Sequence, residues 1–305
     1  MNKKAYIADF TLLLAAIIWG STFAFQRQGM EHLGPFLYTA IRFAIGGVVL
    51  LPVAMIYSPL EGEQVSFRFL FPAVVLGLFL FGGASTQQWG LVYTSEANSS
   101  FITGLYVIII PVICWLFLKQ PVSKIVWMAS LIMLLGMFLM TFFSAPAVMI
   151  SGKEHNQFWG DILTIICAFF WSGHILWISV FSKRVPALWL ASIQFIVCAI
   201  LAFIVAFIFE EISWEIIWNA RVAIAYGTIM SVIIAYTLQI FAQKHAPVTH
   251  ATLILALEAV FGALGGWLIN GQTMTIVAIF GAALMFSGTL IVEFSAYFGK
   301  GRTKA

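Results

Sequence analysis

The chain alternates between long apolar runs and short polar breaks, and ten such runs can be read along it. They span 7–27, 36–57, 69–93, 97–118, 123–143, 158–181, 187–209, 220–243, 248–269 and 275–297. Each run is continuous, and each approaches the roughly 20 apolar residues that a helix needs to cross a bilayer. Backbone polar groups in hydrocarbon must be satisfied within their own segment, so the runs are predicted to be α-helices. A β-barrel would instead show residue-by-residue alternation. The predicted fold is therefore an all-α membrane protein of ten transmembrane helices. The longest connection lies around 149–157, so no extramembrane domain is expected.

Composition narrows the function. Of 305 residues, 62% are hydrophobic and 9% are charged, and the mean hydropathy is +1.02. A soluble domain carries roughly 25% charged residues, so a soluble enzyme is excluded. The net charge of +3 is too small to suggest a nucleic-acid partner. Cys114, Cys167 and Cys198 all fall inside apolar runs. They offer neither a disulfide framework nor a metal spacing. There is no H-E-x-x-H, G-x-S-x-G or Walker A pattern, so no enzyme, metal or cofactor is expected. Any pumping must then draw on gradients. Lys3 and Lys4 precede the first run without a small-residue cleavage site, as in a retained first helix. With the N-terminus inside, about eleven basic residues lie on the inner side and three on the outer. This bias predicts an inner-membrane protein, surrounded by lipid, with both termini cytoplasmic.

The two halves, 1–148 and 149–305, match at a constant offset of 152 residues. Asp9 pairs with Asp161, Trp19 with Trp171, Gln87 with Gln239, and Trp115 with Trp267. Gln120 pairs with Gln272, and Gly136 with Gly288. Each half holds five runs, an odd number, so the second half must enter the membrane from the opposite side. Two inverted five-helix repeats are a common design among secondary transporters, whose site alternates between the two sides.

Polar groups at membrane depth need a partner, a cavity or a function. In the first run Trp19, Thr22, Phe23 and Gln26 share a helical face, either a cavity wall or a packing seam. Trp171 and His174 hold the matching face of the sixth run; His174 is a ligand contact, a proton carrier or a packing histidine. Arg42 lies seven residues into the second run, with Gln194 at the matching position. Its guanidinium suits either a carboxylate or phosphate of a ligand, or a structural bond to neighbouring carbonyls. Glu258 is the only acid near a helix centre. It fits three roles: carrying a coupling proton, pairing with a substrate amine, or packing as a hydrogen-bonded carboxyl. Gln87 and Gln88 stand in the outer part of the third run, and Ser99, Thr103 and Tyr106 form one wall of the fourth. Gln239, His245 and His250 are expected near the inner ends of the eighth and ninth runs. Pro111 is expected to kink the fourth run. Gly262, Gly265 and Gly266 permit close helix approach, for internal packing, a moving seam or a homodimer.

Trp19-Gly20-Ser21-Thr22-Phe23 resembles the first-helix signature of EamA-type transporters, within the drug/metabolite transporter superfamily. Thr94-Ser95-Glu96-Ala97-Asn98 and Phe101-Ile102-Thr103-Gly104-Leu105-Tyr106 are similar to that family's fourth-helix region. Arg42-Phe43 and Leu257-Glu258 resemble its second- and ninth-helix segments. The chain departs from the pattern at Ala259, where many relatives have proline, and at Gln272, where glutamate is frequent. The resemblance covers essentially the whole chain. It implies a central cavity between the repeats and efflux or exchange of small metabolites, often amino acids or amphipathic compounds.

The expectation is a secondary-active transporter of small organic metabolites such as amino acids, working by alternating access. Its cavity is expected to be lined by Trp19, Thr22, Arg42, Gln88, Thr103, Tyr106, Trp171, His174 and Glu258, with Glu258 as the proton-coupling residue. A non-transporting sensor or assembly protein and a passive channel are the alternatives.

Overall fold

The structure is a computed structural model describing residues 3–58, 67–94, 96–143, 156–270 and 274–299. The boundary at 148/149, most of the 149–157 connection, and Ser95, Lys153, Gln272, Lys300, Arg302 and Lys304 lie outside the described residues. Ten helical spans among the described residues are long and apolar enough to cross a membrane. The first three are α1 (Lys3–Met30), α2 (Pro35–Tyr57) and α3 (Phe67–Tyr93). The fourth is broken into α4 (Glu96–Thr103) and α5 (Tyr106–Leu116). Then come α6 (Lys124–Phe142), α7 (Gln157–Phe181) and α8 (Ala187–Phe209). A short α9 (Trp214–Asn219) precedes the eighth span, built from α10 (Arg221–Tyr226), a π-helical run (Gly227–Tyr236) and α11 (Thr237–Gln243). The ninth is broken into α12 (Val248–Leu255) and α13 (Glu258–Asn270), and α14 (Ile276–Gly299) is the tenth.

Helix starts follow local chemistry. Ser123 caps α6 through Val126 N, and Asn156 caps α7 through Trp159 N. Pro35 opens α2, where its missing N–H would be unpaired in any case. The next two amides, Phe36 N and Leu37 N, donate to the Glu210 carboxylate at 2.9 and 2.6 Å. An acid at the end of α8 thus caps α2 from across the bundle.

The packing follows the repeat. Helix α2 lies on its counterpart α8, and α6 on its counterpart α14, as a pseudo-two-fold relation requires. Around them α3 packs on α7 and α8, while α1 packs on α13 and the π-helical run. The ten spans and two inverted repeats read from the sequence are present.

Both broken helices break at the same place in the repeat. Thr103 ends α4 where Leu255 ends α12, and Tyr106 opens α5 where Glu258 opens α13. The breaks themselves are Gly104-Leu105 and Ala256-Leu257. In both, the chain tightens into three-residue turns, Leu105 N to Ile102 O and Leu257 N to Ile254 O. This corrects the expected kink at Pro111. Pro111 sits inside α5, and its counterpart Ala263 stands in a helix that breaks identically without proline. The π-helical run has no such counterpart, because α3 is α-helical throughout.

Candidate functional site

The broken helices, α1, α3, α7 and the eighth span line a central cavity. Its lining carries the repeat symmetry. Trp19 is matched by Trp171, Phe23 by Ile175, and Gln87 by Gln239. Tyr106 is matched by Glu258, and these two touch: the Tyr106 hydroxyl donates to Glu258 Oε1 at 3.0 Å. The first residues of both half-helices are therefore tied together near the pseudo-two-fold axis.

Four expected residues reach the cavity: Trp19, Tyr106, Trp171 and Glu258. The others lie outside its lining. The Thr22 hydroxyl donates to Ile18 O of its own helix at 2.6 Å. His174 pairs at 2.8 Å with Gln194, the repeat counterpart of Arg42. Thr22 and His174 are themselves repeat counterparts, and both turn away for the same reason. Taking Trp19 or Trp171 as origin, the residue three along lies roughly 60° to one side, whereas the residue four along lies roughly 40° to the other. The cavity meets the second side, so Phe23 and Ile175 line it.

Thr103 lies behind the lining, accepting from Gln87 Nε2 at 3.2 Å. Gln88 turns toward Gln26 O. Its neighbour Gln87 is the residue that faces the cavity. The Gln87–Gln239 match at the repeat offset was the available signal. Gln239 also lies deeper than the sequence suggested, in the cavity wall rather than at the membrane edge. Gln26 completes the amide set. Ser231 and Tyr236 were missed, and both belong to the π-helical run. That wider turn shifts the register of side chains along the eighth span, which α-periodicity does not anticipate.

Arg42 is buried, 3% exposed, and packs away from the lining. Its guanidinium lies 4.4 Å from the Tyr38 ring centroid and 5.5 Å from that of Phe43. Its stem runs against Gly227, where an added Cβ would sit 2.6 Å from Arg42 Cδ. Glycine opens the π-helical run because the arginine needs that space. Gly262 and Gly265 face Gly20 and Ser21 of α1, so they serve packing inside the chain. No group of three or more His, Cys, Asp or Glu suited to a metal occurs among the described residues.

At the two ends of the bundle the repeat diverges. Asp161 accepts from Thr94 Oγ1 at 2.8 Å and from Asn98 Nδ2 at 3.1 Å. His250 takes the place of Asn98 in the second repeat, and lies 3.8 Å from Glu293.

The model of the EamA-like transporter family matches residues 6–142 and again 158–294, once per repeat and at the repeat offset. The chain belongs to the EamA-like transporter family. A transporter from Archaeoglobus fulgidus, named as uncharacterized, is 29% identical over 95% of this chain and 87% of its own length. The inner membrane transporter YedA of Escherichia coli K12, also named as uncharacterized, is 22% identical over 97% of this chain and 94% of its own. A solved crystal structure superposes on this EamA-like chain with a TM-score of 0.76 at 20% identity, covering 98% of this chain and 99% of that one. That likeness concerns the fold. Family and relatives make this an integral membrane transporter, which moves a small molecule and is surrounded by lipid.

Proposed function

We propose that this protein is a secondary-active exporter or exchanger of small organic metabolites of amino-acid size, working by alternating access between its repeats. The observation that carries the reading is the Tyr106–Glu258 tie between two helices broken at equivalent positions. Inverted repeats with discontinuous helices at the midplane are the arrangement in which one half can rock against the other around a fixed site. Glu258 is the coupling residue in this reading. It borders the cavity, and it is bonded to the half-helix whose position must change. The protein sits in the inner membrane with both termini cytoplasmic, as its basic residues favour.

Purified protein in sealed liposomes should move such solutes when a proton gradient is imposed. Unchanged pH-driven movement in Glu258→Gln would reject the coupling role. Binding without any movement across the bilayer would favour a sensor. Currents that simply follow an ion gradient would favour a channel.

A further inference from the structure

The cavity wall holds polar groups without partners. Gln26 Oε1, Gln239 Oε1 and Trp19 Nε1 have no hydrogen-bond partner, and all three residues belong to the lining. Glu258 accepts one bond, from Tyr106, and among the described residues nothing donates to its second oxygen. A buried polar group left without a partner is costly.

The charges decide the sign. Among the described residues, Glu258 is the one carboxylic acid of the lining, and no Lys, Arg or His lines the cavity. Arg42, which the sequence offered for a carboxylate, is held over the Tyr38 and Phe43 rings instead. A ligand carboxylate would enter beside Glu258 with no cation to meet it, and burying an unpaired charge is strongly unfavourable. An ammonium would pair with Glu258. The walls supply aromatic faces as well. Trp171 stacks with Tyr236 at 5.9 Å between centroids, and Trp19 meets Tyr236 edge-on at 4.8 Å. Such faces attract cations and cover flat apolar bodies.

We propose that the cavity binds an organic monoamine, a protonated amine on an aromatic or apolar body without a carboxylate. This rests on the reading of the cavity as the transport site, and it narrows the metabolite class suggested by the family resemblance.

The test compares tryptamine, tryptophan and indole-3-acetate, which share one ring system and differ in charge. Binding to the full chain in nanodiscs is measured by titration calorimetry and by thermal shift. Tryptamine should bind saturably, tryptophan at least about tenfold more weakly, and indole-3-acetate least of all. Glu258→Gln should weaken tryptamine about ten- to a hundredfold. Glu258→Asp, which keeps the charge, should preserve the order of the three ligands and serves if the glutamine variant does not fold. Tryptophan or indole-3-acetate binding as tightly as tryptamine would overturn the proposal, as would unchanged tryptamine binding in Glu258→Gln. Movement of amino acids across liposomes without amine preference would overturn it while leaving the transport reading intact. Amine binding in the stated order without movement would support the proposal and remove the transport reading.

Discussion

Gly20 sets the closest approach between α1 and the ninth span, and its replacement by alanine separates two explanations of the glycine pattern. A Cβ at Gly20 would lie 2.5 Å from Phe261 Cβ, 2.7 Å from Glu258 O and 2.7 Å from Gly262 N. Two of these three atoms are backbone, so no rotamer change relieves the clash, and the helices must separate by about 1 Å. Overpacking of this kind costs about 1–3 kcal/mol. At about 2–4 °C per kcal/mol, Gly20→Ala should lower the melting temperature by roughly 2–12 °C. By contrast, a Cβ at Gly262 would find Gly20 O at 3.6 Å, and one at Gly265 would find Ser21 Cα at 3.5 Å. Those are ordinary contacts, so Gly262→Ala and Gly265→Ala should stay within about 0.5 kcal/mol of the parent. The three free cysteines are buried, so a thiol-reactive dye reports unfolding in detergent without an added label. A Gly20→Ala protein that melts with the parent, or a Gly262→Ala protein that melts as low as Gly20→Ala, would refute the reasoning.

Two further outcomes follow from the same contacts. Glu210→Ala removes the cap that receives Phe36 N and Leu37 N, and should cost about 1–2 kcal/mol in the same melting assay; an unchanged melting temperature would show that water replaces the carboxylate. Tyr106→Phe removes the donor to Glu258 Oε1 at the edge of an open cavity, so stability should fall by about 1 kcal/mol or less. Transport in liposomes should nevertheless slow about tenfold, the equivalent of one charge-assisted bond. An unaltered rate would mean that the tie plays no part in the cycle.

The sequence by itself determined the spans and their inversion. Hydropathy reports how one segment meets lipid, and an odd number of spans per half fixes the relative orientation of the halves. Trp19, Trp171, Tyr106 and Glu258 were legible because the repeat and the scarcity of charge marked them. What the tertiary structure decided was direction around each helix. Lipid tails are about as apolar as the bundle interior, so hydropathy gives a membrane helix little contrast between its faces. Thr22 and His174 were therefore assigned to the cavity when each faces a packing seam. Gln88 was chosen over Gln87 for the same reason. Gly104 marks the first of the matched breaks, but its counterpart Ala256-Leu257 contains neither glycine nor proline and gives no composition signal. The π-helical run that brings Ser231 and Tyr236 to the wall opens at Gly227, against which Arg42 packs from a helix far away in the chain. The scarcity of charge singles out Arg42 and Glu258 in the sequence; only packing places Arg42 against the Tyr38 and Phe43 rings and Glu258 at the cavity.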